Sequence, residues 1–247
     1  MQNKHSEYIR ISEDKKTACL MVHGIVGSPR FFDSIIPLLP EDWSIYNILL
    51  DGHGGEVKDF ANTSIFKWRE QVGGYLSHLQ KEYEEIYIFA HSMGTLISME
   101  AVIERPFKIK KMFLFAIPLA PRVKIRSFIN TTKSVLGIGK VEIDTLDAKN
   151  HFSITPERNV LKYIGFAPRY FEFLQSVKEM RKRIKLLYVP MEAFIHCKDE
   201  LVSNKGEKYI RRNERIRIHF LENSYHNVFS EDFEKVKEVI LDGIKKG

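Results

Sequence analysis

Ser92, Asp199 and His226 are the residues whose types and chain order could do chemistry. A serine hydroxyl is a weak nucleophile near neutral pH. It needs a histidine to take its proton and a carboxylate to hold that imidazole. Ser92 stands in Ala90-His91-Ser92-Met93-Gly94, which departs from a G-x-S-x-G run only at Ala90. An apolar, β-rich stretch from Ile86 to Phe89 precedes it. A helical pattern from Thr95 to Glu104, stopped by Pro106, follows it. The pattern puts Ser92 on a sharp strand-to-helix turn, a nucleophile elbow. Such a turn lifts the side chain clear of the backbone, and the helix N-terminus behind it favours the negative charge that develops on attack. Small flanking residues are required because strand and helix approach closely.

Partners for Ser92 should come from loops at the carboxyl ends of parallel strands. Asp199 follows a strand expected to end at His196, and His226 follows one expected to end at Phe220. The competitors are weaker. His219 alternates within a strand and faces one side of a sheet. Glu200 points differently from Asp199, and His91 packs or hydrogen-bonds beneath the elbow. His53 lies in a glycine turn, where a structural role is expected, and Asp144 and Asp147 fall away from strand ends. His196 and Cys197 have no third ligand at useful spacing, so no metal site is expected. The tetrahedral intermediate carries a negative oxygen that needs donors. The N–H of Met93, next after the nucleophile, is expected as one. The N–H of Ile25, in the His23-Gly24-Ile25 loop after an earlier strand, is the candidate for the second.

The elements that must position these groups alternate along the chain. Strands are expected at Tyr8–Ile11 (an edge), Thr17–Val22, Trp43–Leu50, Ile86–Phe89, Lys111–Ala116, Met191–His196 and Arg215–Phe220. Helices are expected over Phe31–Leu39, from Asn62 to about Glu82 with Thr63 or Ser64 as N-cap, and over Ser203–Ile210 and Glu231–Lys245. Alternation of this kind gives a doubly wound, mostly parallel sheet. From Leu119 to Ile184 it pauses. That span holds Pro121, Gly137, Gly139 and Pro168 and many aromatics, Phe128, Phe152, Tyr163, Phe166, Tyr170, Phe171 and Phe173 among them. It is too long for a plain connection. The expected organisation is a core of residues 1–118 and 185–247 with a small, largely helical cap at 119–184.

Composition bounds the function. At 247 residues, 44% hydrophobic and 28% charged, the chain can bury one large core. No apolar run is long enough for membrane insertion, and the first residues lack a secretory stretch, so a cytoplasmic protein is expected. Cys19 reads as a buried thiol, and two cysteines make no disulfide framework. The net charge of +6 is spread among glutamates and reads as a solvated surface. Its densest run, Lys178–Lys185, reads as the exposed end of a helix. No motif points to nucleic acid.

The sequence resembles the α/β-hydrolase superfamily over nearly its whole length, and within it the bacterial carboxylesterase and monoacylglycerol lipase group. His23-Gly24-Ile25, Asp51-Gly52-His53-Gly54, the elbow, Lys198-Asp199-Glu200-Leu201-Val202 and Ser224-Tyr225-His226 carry the likeness. The departures are Ala90 for the usual Gly, and His196 where such proteins often have Gly. The resemblance implies an α/β-hydrolase fold with Ser92 as nucleophile, Asp199 as acid, His226 as base, and Ile25 and Met93 as backbone donors. It implies no cofactor. The aromatics of the expected cap suggest a small-molecule ester with an apolar acyl or alcohol group, such as a short- to medium-chain acyl ester or a monoacylglycerol. A thioesterase, an amidase or a carbon–carbon bond hydrolase could use the same triad. A non-catalytic ligand-binding protein on this fold is the rival of another class.

Overall fold

Strand β2 (Thr17–Val22) is buried along its whole length. Ala18, Leu20 and Val22 enter one apolar cluster, and Cys19 and Met21 enter another. The same split runs through β4 (Glu85–His91) and β5 (Ile109–Phe115), because successive side chains leave a strand on opposite faces. A sheet apolar on both faces needs helices on both. The computed structural model, which describes residues 5–122, 152–157 and 159–246, has that form.

With β1 (Tyr8–Arg10), β3 (Ser44–Ile48), β6 (Met191–His196) and β7 (Ile216–Leu221), the sheet order is β1-β3-β2-β4-β5-β6-β7. Every pairing is parallel except β1 with β3. The helices are α1 (Val57–Asn62), α2 (Ile65–Glu82), α3 (Met93–Glu104), α4 (Ala167–Arg183), α5 (Glu207–Ile210) and α6 (Phe233–Lys245). Helices α2, α3 and α4 cover one face with Trp68, Leu76, Leu96, Met99, Val177 and Met180. Helix α6 covers the other with Val236 and Ile240, beside Phe31 and Phe32. This is the α/β-hydrolase fold, a doubly wound, mostly parallel sheet.

Local chemistry explains the differences from expectation. Phe31–Leu39 is not one helix. It forms two 3-10 turns, Pro29–Phe32 and Ile36–Leu38, each with a proline in its first two positions that fixes φ and removes a donor. Helix α1 was not expected. Asp59 starts it by accepting the Glu56 N–H at 2.8 Å. Of the two cap candidates, Ser64 caps α2, its hydroxyl accepting from Lys67 N–H at 3.2 Å. Thr63 instead donates to Asp51 at 2.6 Å. The expected helix at Ser203–Ile210 is a 3-10 turn followed by the short α5.

Residues 123–151, with Phe128, Asp144 and Asp147, lie outside the described residues. Both flanks of that segment are tied to loops at the carboxyl ends of the strands. On one side Arg122 N–H donates to Leu201 O at 2.7 Å, and Ser203 N–H donates to Ala120 O at 2.9 Å. On the other, Ser153 N–H donates to Val26 O at 3.0 Å and Thr155 N–H to Gly55 O at 2.8 Å. Tyr163, Phe166 and Phe173 then join the main core cluster. The basic run at the end of α4 is only partly a solvated face. Arg183 and Arg69 share the Glu100 carboxylate, at 3.0 and 2.7 Å, and Arg181 donates to Leu119 O at 2.8 Å. These bonds fasten α4 to its neighbours. Among the described residues no helix is long and apolar enough to cross a membrane.

Candidate active site

Ser92 sits between β4 and α3 at φ 50° and ψ −123°. A residue with a side chain in that region carries strain of about 1–3 kcal/mol. The packing behind it is larger. Met93, Leu96, Ile97, Met99 and Val102 of α3 are all buried, and each is worth roughly 1.5–3 kcal/mol. Ser92 N–H donates to Phe115 O at 2.9 Å, and the Thr95 hydroxyl donates to Ser92 O at 2.7 Å. The turn is thus held from both neighbouring elements. The departure at Ala90 is accommodated, since its methyl packs in the main core cluster.

The chain brings Ser92, His226 and Asp199 together. His226 Nε2 lies 2.9 Å from Ser92 Oγ, and its Nδ1 lies 2.7 Å from Asp199 Oδ2. An ionised carboxylate only accepts, so Nδ1 carries the proton and Nε2 faces the hydroxyl as an acceptor. The other Asp199 oxygen accepts two backbone N–H groups, Leu201 at 2.8 Å and Val202 at 2.7 Å. Burial alone would lower the His226 imidazole. The Asp199 charge and hydrogen bond, with Glu200 nearby, outweigh it and raise His226 above the ordinary value of 6.5. Burial pushes Asp199 up, but the His226 charge and hydrogen bond and the Val202 amide bring it below the usual carboxylate value.

The two expected oxyanion donors lie on the segments next to Ser92, one in the elbow and one in the loop after β2. Met93 is the first residue of α3, where an N–H has no acceptor within the helix. Ile25 lies in a turn closed by Gly27 N–H to Gly24 O at 3.1 Å. Gly24 presses on the elbow, and a β-carbon there would stand 2.9 Å from Ser92 Cβ. Within this turn Val26 adopts φ 50°, a left-handed conformation costly for a β-branched residue. Its carbonyl is the one that Ser153 holds.

Other histidines have defined places. His23 links the ends of β2 and β3, accepting Leu50 N–H at Nε2 (3.0 Å) and facing Gly24 O through Nδ1 (2.9 Å). His53 packs on His23, Phe60 and Trp68, with Nδ1 3.2 Å from Leu50 O and from Asp51 O. His219 meets Glu192 at 2.7 Å in a buried cluster with Lys111, which the sequence pattern did not signal. His196, which stands where such proteins often have Gly, is buried and donates Nδ1–H to Tyr225 O at 2.6 Å. His91 reaches the carbonyl of His226 through Nε2 at 2.9 Å, and Glu200 accepts the His226 N–H at 3.2 Å.

Burial holds His53 and His196 each at about 4. An unfolded chain protonates such rings below pH 6.5, so across the window from 6.5 to 4 the unfolded state binds more protons. Stability then rises with pH and is lost on acidification. His226, being raised, acts oppositely. Its contribution is complete below 6.5 and fades as pH climbs through its folded value. The expected result is a falling Tm as pH drops through that window, with up to about 3 kcal/mol of stability lost per buried neutral ring. A flat Tm by circular dichroism would show that these rings take protons in place.

Comparisons with known proteins agree with this architecture. The family model described as serine aminopeptidase, S33 (Hydrolase_4) matches residues 13–232. The uncharacterized hydrolase YugF of Bacillus subtilis (strain 168) is 32% identical over 96 residues, which span 38% of this chain and 34% of that protein. A solved structure from work on LipS and LipT, two metagenome-derived lipolytic enzymes, superposes with TM-score 0.76. It is 16% identical, with 99% of this chain and 98% of that one covered. A structure from work on carboxylesterases of the thaumarchaeon Nitrososphaera gargenis gives TM-score 0.68 at 14% identity, covering 98% and 96%. At such identities the structural likeness speaks to fold alone.

Proposed function

The chain belongs to the serine aminopeptidase S33 (Hydrolase_4) family of α/β-hydrolase enzymes, and within that family we propose that it cleaves carboxylic esters through an acyl-enzyme on Ser92. The observation that carries the reading is the relay from Ser92 Oγ to His226 Nε2 at 2.9 Å and from His226 Nδ1 to Asp199 at 2.7 Å. In this mechanism Ser92 attacks the acyl carbon while His226 takes its proton. Asp199 keeps the tautomer and stabilises the imidazolium. The N–H groups of Met93 and Ile25 hold the oxyanion. His226 then protonates the leaving alcohol, and water repeats the sequence on the acyl-enzyme. No cofactor enters. The substrates proposed are short- to medium-chain acyl esters or monoacylglycerols, and the proposed cap is residues 119–184 on a core of 1–118 and 185–247, with α4 at its end also packing on the sheet face. The lipolytic and carboxylesterase neighbours support an ester, and the family's description leaves an amide as the rival.

The test is a series of p-nitrophenyl esters from acetate to palmitate, run beside matched thioester and anilide substrates and a fluorophosphonate label. Turnover of oxygen esters with label on Ser92 is expected, and the best chain length sizes the acyl site. Faster thioester or anilide cleavage moves the reading to a thioesterase or amidase. Neither turnover nor label leaves a binding role.

The pH profile follows from the base. His226 must be neutral to accept the serine proton, and its raised value keeps it protonated to higher pH. Thus kcat/KM should be low in acid and climb through a single ionisation lying above 6.5. A profile already flat at pH 6 would remove His226 from the role of base.

A further inference from the structure

His226 is gripped by its backbone as well as by its ring. It stands in a tight turn where Tyr225 N–H donates to Val228 O at 2.9 Å and Val228 N–H donates back at 3.3 Å. The carbonyls of Tyr225 and His226 point to histidines from two other strand ends. His91, the last residue of β4 and the neighbour of Ser92, donates Nε2–H to His226 O at 2.9 Å. His196, the last residue of β6, donates Nδ1–H to Tyr225 O at 2.6 Å. Both rings are buried, at 3% and 1% exposure. The His91 ring stacks on Phe31 at 3.8 Å and 15°. It also fills space that Gly24 leaves open, since a β-carbon there would lie 3.1 Å from His91 Nδ1. His196 Nε2 is buried without a partner, and burial keeps the ring neutral, so the ring's single proton sits on the nitrogen that faces Tyr225 O.

We propose that His91 and His196 are positioning residues, a two-histidine clamp that fixes the turn carrying His226 and so sets its imidazole between Ser92 and Asp199. The physical reason is leverage. The imidazole hangs from a short loop, and both of its working bonds depend on where that loop stands. Strand ends are the stiffest points available to hold it, and β4 also carries the nucleophile. A misplacement of about 1 Å at reacting atoms can cost on the order of 10²-fold in rate.

The clamp distinguishes one ring nitrogen from the other, which gives a directional test. A glutamine carries its NH₂ at about the reach of Nε2, and an asparagine at about the reach of Nδ1. His91→Gln and His196→Asn therefore keep the donor in place. His91→Asn and His196→Gln misplace it, and His91→Leu and His196→Leu remove it. Each variant is measured for kcat and KM on the best p-nitrophenyl ester. The downfield proton signal of the His226 Nδ1–H bond to Asp199 is recorded by NMR alongside.

The leucine variants should lose about 10- to 100-fold in kcat with KM little changed, and their downfield signal should broaden or vanish. The matched amides should recover most of both readouts, and the swapped amides should not. The clamp is overturned if the leucine variants keep kcat and the signal, or if matched and swapped amides behave alike, which would mean packing alone. Should the leucine variants fail to fold, the matched and swapped amides, alike in polarity and one methylene apart, decide the question. The kinetic arm rests on the ester reading, but the NMR arm does not. A wild type that cleaves no ester while its signal follows the nitrogen rule sinks the function and leaves the clamp standing.

Discussion

Ser92→Ala is expected to lower kcat on the best ester by about 10⁴-fold or more, with KM close to wild type. The change removes the attacking atom and nothing else of the oxyanion loop, the base or the acid. The residual rate should come from Met93, Ile25 and substrate binding alone. The fold should survive. Alanine suffers the same strain at φ 50° as serine, and α3 keeps its buried face. One hydrogen bond is lost, leaving His226 Nε2 without its 2.9 Å partner in a buried place, which costs about 1–3 kcal/mol. The measurement is steady-state turnover on purified wild type and variant, with mass spectrometry after fluorophosphonate treatment. A variant retaining more than about one part in a hundred of the activity, or still labelled, would place the nucleophile elsewhere.

The second large effect is on stability. Gly94→Ala is expected to destabilise the fold by about 3 kcal/mol or more. A β-carbon at Gly94 would stand 2.3 Å from Val22 O and 2.5 Å from His23 O. Those acceptors are backbone atoms at the end of the central strand β2, so no side chain can swing aside. Relief requires α3 to lift from the sheet, which exposes Leu96, Ile97 and Met99 and opens the elbow. Chemical denaturation of wild type and variant reads the difference. Tolerance of alanine within about 1 kcal/mol would mean that strand and helix are not in the close contact described.

Much of the site was legible because its chemistry is local in sequence. Ala90 to Gly94 needs a strand before it and a helix after it, and both are visible in side-chain pattern. The acid and base loops were placed by a rule of topology, with each following a strand, and β6 runs from Met191 to His196 as expected. What stayed hidden was what depends on contact across the fold. Nothing near His196 in sequence reveals that Tyr225 O is its partner, and nothing near His91 reveals His226 O. The cluster of Lys111, Glu192 and His219 is likewise assembled from three strands. Helix α1 escaped notice because six residues after a glycine turn show too little period to read. The stretch from Phe31 to Leu39 misled because its apolar spacing suits a helix while Pro37 within it and Pro29 before it do not.

The segment between residues 122 and 152 leaves and returns through backbone bonds. Its departure is written in Arg122, Ala120 and Ser203, beside the acid loop. Its return is written in Ser153 and Thr155, beside Val26 and Gly55. Main-chain bonds are indifferent to most side chains. Substitutions at Ala120, Arg122, Ser153 and Thr155 should therefore leave both seams joined, while Ser92, His226 and Asp199 stand on other elements. A designer wishing to replace the stretch between them would cut at these two seams.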